Sequence, residues 1–387
     1  MASPASALPD SIRRRCRIFD HTVYINSCSQ GVLTDVVRDA YGSYLEHWET
    51  RGAPWDYWVE QTEAVRASFA DLVNATADEI AVTTSLSAGL SSVLSGFEPG
   101  ERNRIVVSDL EFPTVGQIAH AQELRGWEVI HVPASDDGTV TVEGFEAAID
   151  ERTALVATTY VCYCNGVRQP VDGIVRAARA QGALVFLDAY QATGAIPIDV
   201  RALDVDFLAT GSLKYLLGSA GLGFLYARAE LARTVLPTQT GWFADANIFE
   251  MDISDYSPAS NARRFESGTP PIPAIYAGVA GIELMKEVGV AATETHVRNL
   301  NDRLISGLDE LDARVVTPRD PTKRGPLIAV GSTDAELLVE KLAAARIVAS
   351  SREGNLRLSA HCYNARDDID EVIEALARHR DLLVPRS

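Results

Sequence analysis

The stretch FLDAYQATGAIPIDVRALDVDFLATGSLKYLLGSAGLGFLY, residues 186–226, decides how the rest of the chain is read. Short apolar runs at 183–187 (ALVFL), 206–209 (DFLA) and 223–227 (GFLYA) are bounded by glycine and polar residues. Such runs read as buried strands. Asp188 stands at the carboxyl end of the first, and ligands of open α/β sheets bind along that edge. A carboxylate buried there needs a cation or hydrogen-bond donors. Gln191 follows in the turn. Lys214 comes after the next run, 26 residues beyond Asp188, flanked by Gly211, Ser212, Gly218, Gly221 and Gly223. Glycines so placed let the backbone turn tightly and approach a ligand closely.

Outward from this stretch, strands and helices alternate. Strands are predicted at 104–108, 128–132 and 154–160, with helices over 114–125 and 171–181. Continuous apolar runs with helical patterns between them indicate an α/β fold with a mainly parallel sheet covered on both faces. From about 238 to 271 the periodicity weakens, and Gly, Pro, Ser and Asn become frequent. A loop of that length in a compact protein is often functional. Long helices are predicted at 273–287 and 291–311. Strand, helix, strand and helix then follow over 326–380, a second and smaller α/β unit. The expected division is an N-terminal segment 1–22, a large domain 23–270 and a small C-terminal domain 271–387.

An acid, an amide and a lysine at neighbouring strand ends suit pyridoxal phosphate. The Lys214 amine would form a Schiff base with the aldehyde. Asp188 would keep the pyridine nitrogen protonated, and Gln191 could bond the ring oxygen. Alone, Lys214 would read as a surface lysine and Asp188 as a loop residue; it is the joint arrangement that points to the cofactor.

The D-x-x-Q and S-x-K-Y-L-x-G-x-x-G-x-G-F-L patterns resemble the class V aminotransferase family, over roughly residues 23–375. These are fold-type I pyridoxal-phosphate enzymes and include cysteine desulfurases, kynureninase and isopenicillin N epimerase. The resemblance implies a large domain with a mainly parallel mixed sheet and a smaller C-terminal domain. It assigns TTSLSAGLSS (83–92) to the phosphate loop, with Leu86 and Ser87 holding the phosphate at a helix start, and counts Ser212 among the cofactor contacts. SDLEFPT (108–114) places Phe112 at the ring-stacking position. Trp242 and Thr269 would reach the phosphate of a neighbouring subunit, which implies a homodimer with shared sites. Arg357, in NLRLSA, would grip a substrate α-carboxylate as a bidentate pair. Asn26 and Asn165 are candidate substrate contacts, with Ser29, Gln30 and Arg168 beside them; His361 reads as structural.

Two departures matter. Desulfurases carry a nucleophilic cysteine before the small-domain arginine, whereas IVASSREGN (347–355) has none. Leu213 precedes the lysine where desulfurases have His and kynureninases Tyr. The leading expectation, resting on the kynureninase-like Phe112, the Gly241-Trp242-Phe243 loop and the K-Y-L-x-G segment, is a lyase cleaving the side chain of an L-amino acid, by β-elimination or kynureninase-like chemistry. An aminotransferase or an epimerase remains the alternative.

Composition narrows the range of partners. The 387 residues carry 53 acidic and 35 basic side chains, a net charge of −18, which argues against nucleic acid or an anionic membrane as partner. Five cysteines at irregular spacing point to a reducing compartment. Cys162 and Cys164 form a C-x-C pair without a second pair or a histidine cluster, so no metal is expected. No apolar run reaches the ~18 residues of a membrane span, and the N-terminus lacks an apolar leader segment. A cytoplasmic protein is expected.

Overall fold

Twelve strands organise the computed structural model, which describes residues 4–386. They are β1 (Val23–Tyr24), β2 (Ile80–Thr83), β3 (Arg104–Ser108), β4 (Glu128–Val132), β5 (Thr153–Thr159), β6 (Leu184–Asp188), β7 (Phe207–Gly211), β8 (Gly223–Ala227), β9 (Leu327–Gly331), β10 (Ile347–Val348), β11 (Ser350–Arg352) and β12 (Asn355–Ser359). Seven of them form the main sheet, in the order β2-β8-β7-β6-β5-β3-β4. The β7-β6-β5-β3-β4 pairs are parallel, while β8 runs antiparallel to both its neighbours. This is an α/β fold with a mainly parallel mixed sheet flanked by helices.

The parallel strands read as apolar runs because both faces are covered. One face packs on Val65, Phe69, Ile174 and Ile275, the other on Leu90, Val93, Val115 and Phe265. Local chemistry sets the helix ends near the sheet's carboxyl edge. Ser85 caps the helix Leu86–Ser95 by accepting from Ala88 N at 3.1 Å, the usual service of a serine at that position. Phe112, in extended conformation, precedes Pro113 at the first turn of the helix Pro113–Ala121.

A separate antiparallel sheet, β11-β12-β9, carries the C-terminal unit and packs on the helices Val290–Glu310, Ala335–Ala344 and Arg366–Ala377 through Leu304, Leu338, Leu358 and Val372. The packing draws the division less sharply than a cut at residue 270. The helix Ile272–Val288 contributes Ile275 and Ile282 to the large core. In the other direction, β1 pairs in parallel with β10, and Val23 and Ile25 join the small core. We propose that the small unit comprises residues from about 290 onward plus the segment around β1.

Candidate active site

Asp188 is the last residue of β6 and pairs in register with Ala209 of β7. It is 4% exposed, and its Oδ1 accepts the Tyr190 N–H at 2.8 Å. Burial raises its carboxyl to about 6, against the pull of that N–H and of Lys214. Gln191 is held by its own Nε2, which donates to the Cys28 carbonyl at 3.0 Å, while its buried Oε1 has no partner.

Lys214 sits in a loop closed on itself just after β7. Gly218 N donates to Ser212 O, Leu217 N to Lys214 O, and Gly31 N reaches across to Leu213 O at 2.9 Å. A side chain at Gly31 would stand 2.3 Å from the Lys214 carbonyl, so that segment can lie against the loop only with glycine there. The Lys214 amine is buried, and burial lowers it to about 8; Asp188 and Cys28 oppose the shift, whereas Arg357 and Arg352 add to it. Its Nζ lies 4.4 Å from the Tyr190 ring centre and 5.9 Å from that of Phe112.

On the small-unit side, Arg357 is 3% exposed. Its Nη1 donates to Tyr163 O at 2.9 Å, and Nη2 donates to Ser350 Oγ at 3.0 Å and Ser29 Oγ at 3.2 Å; Nε has no partner. Asn26 completes this group, its Oδ1 accepting from Ser29 and Ser350 at 2.8 Å each. Leu86 and Ser87 open their helix, where the first N–H groups have no intrahelical acceptor. Ser87 Oγ also reaches Thr114 Oγ1 at 3.3 Å, joining two helix starts.

Other residues named from the sequence stand elsewhere or are already engaged. Ser212 is fully buried and spends its hydroxyl on Ser219 O at 2.8 Å, so it shapes the lysine loop instead of facing a phosphate. Asn165 is not free for a substrate: Nδ2 donates to Gly138 O at 2.8 Å and Oδ1 accepts from Val167 N at 3.0 Å. Arg168 is tied to Tyr160 and Glu294. Trp242 packs edge-on against Trp55, and Thr269 is exposed on the same long loop. His361 bonds the Tyr215 carbonyl through Nε2 at 2.9 Å, and burial lowers it to about 4, a neutral structural histidine. A wider groove of about 1260 Å³ between Asp136, Arg176 and Lys323 contains neither Lys214 nor Asp188.

Sequence reasoning missed three residues of the site. Tyr190 lies against Lys214 because Gly211 has no side chain; a Cβ there would fall 2.3 Å from the Tyr190 hydroxyl. Its place inside the D-x-x-Q turn was the available signal. Glu111, beside Phe112, is buried with Oε1 accepting from Ser108 at 2.6 Å and Oε2 unpartnered. Burial raises it to about 8, and the nearby Asp188 charge adds to the shift although Ser108 opposes it. Cys28 is brought in from the stretch just after β1, and no local pattern marks it.

Some of the unused hydrogen-bonding capacity lies around one lysine. Gln191 Oε1, Glu111 Oε2 and Arg357 Nε are buried without partners, as are atoms away from it such as both carboxamide atoms of Gln169 and the indole nitrogens of Trp58 and Trp127. Asp188 has one donor, and an open helix start lies at the same sheet edge. A group with a cationic nitrogen, a carbonyl carbon and an anionic tail fits this donor set, which defines a lysine-centred cofactor enzyme of the α/β class.

Comparison with known proteins agrees. The family described as aminotransferase class-V matches residues 32–372; the chain belongs to that family and is a pyridoxal-phosphate-dependent enzyme. It is 31% identical over 370 residues to the uncharacterized aminotransferase YcbU of Bacillus subtilis, covering 96% of this chain and 98% of the relative. It is 30% identical over 387 residues to a kynureninase of Salinispora tropica, covering 93% and 90%. Among solved structures, the apo cysteine desulfurase of Thermococcus onnurineus superposes with a TM-score of 0.88 at 24% identity, over 98% of this chain and all of that one.

Proposed function

We propose that the protein cleaves the side chain of an L-amino acid, by β-elimination or kynureninase-like chemistry, with Lys214 holding the cofactor. The bound cofactor supplies an electron sink for charge developed at the substrate Cα. The chain supplies the rest. Asp188 keeps a proton at the pyridine nitrogen, and Leu86 and Ser87 take the phosphate at their helix start. Arg357 turns its fork to the α-carboxylate and orients the substrate. Lys214, lowered to about 8 by burial, is well placed in proton affinity to take a proton and return it near neutral pH.

The observation that sets this reading apart from desulfurase chemistry is the turn between β11 and β12. Glu353 and Gly354, with φ of 51° and 73°, close it in two residues. That leaves no loop from which a sulfur-accepting cysteine could swing to the substrate. The similarity to a kynureninase over most of the chain supports the same reading. The likeness to YcbU favours a second one, amino transfer to a keto acid. Incubating the holoenzyme with a panel of L-amino acids separates them. Pyruvate, alanine or sulfide released without added keto acid supports the lyase; turnover only with a keto acid assigns the transferase.

A homodimer with composite sites belongs to the same reading, through Trp242 and the exposed Thr269. Mixed dimers of a Lys214→Ala subunit and a Thr269→Ala subunit should contain one doubly defective site and one restored site. Cofactor retention no better than in the Thr269→Ala homodimer would place the contact within one chain.

A further inference from the structure

The C-x-C segment has no part in the chemistry above, yet it lies against the residues that do. Cys162 and Cys164 are both buried, and their sulfurs stand 3.2 Å apart. The chain doubles back here: Gly166 N donates to Cys162 O, and Cys162 N to Val167 O. Among the described residues, no third histidine, cysteine or carboxylate joins them in a metal-binding group.

Both flanks of the pair are pinned. On one side Val161 bridges to Arg168. On the other, the Asn165 carbonyl accepts from Thr317 Oγ1 at 2.6 Å and its carboxamide holds Gly138 and Val167. Tyr163, between the two sulfurs, ties this segment to the small unit, its hydroxyl donating to Glu353 Oε1 at 3.2 Å. Its carbonyl is the acceptor for Arg357 Nη1, and its ring stands edge-on to Phe112 at 4.9 Å.

We propose that Cys162 and Cys164 are a reversible oxidation site, a dithiol closed to a disulfide by a small peroxide, and that closure weakens carboxylate binding by displacing the Tyr163 carbonyl from Arg357. The inference rests on Arg357 as the carboxylate residue. A disulfide needs its sulfurs about 2 Å apart, so closure draws the ends of the Cys162–Cys164 segment together and the backbone at Tyr163 must give. The Cys164 S–H bond to Cys162 favours the Cys162 thiolate, against its burial and with help from the N–H groups of Asn165 and Cys164. That thiolate breaks the peroxide O–O bond, giving a sulfenic acid and hydroxide. The Cys164 sulfur then attacks the oxidised sulfur, forming the S–S bond and releasing water. Two thiols and one peroxide become one disulfide and two waters, with the peroxide reduced.

The test treats the holoenzyme with stoichiometric hydrogen peroxide. The expected product is lighter by about 2 Da, with the Cys162–Cys164 pair crosslinked in its peptide. L-alanine, a probe with a free α-carboxylate, should bind about three- to tenfold more weakly by the cofactor's visible absorbance, the loss of one hydrogen bond. Dithiothreitol should restore it. Cys162→Ser, or Cys164→Ala if that variant folds poorly, should bind L-alanine normally and resist peroxide. A pair that stays reduced, or a disulfide that leaves L-alanine affinity unchanged, overturns the proposal. Arg357→Lys tested in the reduced protein separates this outcome from failure of the carboxylate reading itself: if that variant binds L-alanine normally, it is the reading that is wrong.

Discussion

Two buried clusters of charge sit in the large unit and are built in opposite ways. Behind β2, Arg66 is 1% exposed and uses all its nitrogens: Nη1 donates to Ile80 O and Glu266, and Nε and Nη2 donate to Glu63 at 3.0 Å each. Glu266 accepts in addition from Val82 N at 2.9 Å. Burial opposes the Arg66 charge, but the Glu266 and Glu63 carboxylates outweigh it and raise the guanidinium above its ordinary value. Around Lys214 the balance is reversed. Burial wins, Lys214 falls to about 8 and Asp188 rises to about 6. A saturated cluster holds the fold, and an unsaturated one is held open for something else.

The comparison can be broken in several ways. Lys214→Ala should remove the cofactor fixed by borohydride and cut turnover by about 10⁴-fold, with a denaturant midpoint of the apoprotein no lower than the parent's. A label on another lysine would end the assignment. Arg66→Met should do the converse. It leaves Glu266 buried without its cation, costing about 3–5 kcal/mol in denaturant unfolding, while each folded molecule keeps its activity. Arg357→Lys falls between the two. Losing a charge-assisted bidentate grip worth about 1.5–3 kcal/mol should raise the substrate KM by roughly ten- to a hundredfold with the cofactor spectrum unchanged.

The smallest effect is on pH dependence. The folded apoprotein releases the Lys214 proton near 8 and the unfolded chain near 10.5. The unfolded chain therefore binds more protons in that window, so stability rises with pH there. For Asp188 the folded carboxyl keeps its proton to about 6 and the unfolded one to 3.8, so stability falls as pH rises between them. Denaturant midpoints of the apoprotein should pass through a minimum between about pH 6 and 8. Lys214→Met should flatten the alkaline rise; an unaltered rise would show that Lys214 is not strained by burial.

Much of this was legible from the sequence because it is local. The strand read at 223–227 is β8 to the residue, and those at 104–108 and 128–132 coincide with β3 and β4, since short runs rich in Val, Ile and aromatic residues between turn residues mark a strand whatever its direction. Asp188, Gln191 and Lys214 lie within one short stretch, so their chemistry could be weighed together. What was hidden depends on distant parts of the chain meeting. Cys28 enters from the stretch after β1, and Ser29 and Ser350 meet over Arg357 from distant parts of the chain. The reversed direction of β8 has no signature in apolar runs alone. Asn165 and Ser212 misled because short polar side chains bond backbone as readily as ligands.

The pairing of β1 with β10 has a further consequence, for biosynthesis. Val23 leaves the ribosome early and meets Ile347 only after about 320 more residues have been made. At about 5–20 residues per second, that is a wait of roughly 16–65 seconds. Throughout it, the segment that carries Gly31 to the Lys214 loop has no strand partner at its other end. The small unit therefore closes last, around a piece of chain made first, and a C-terminal fragment cut off after the helix Ile272–Val288 carries the small unit without β1.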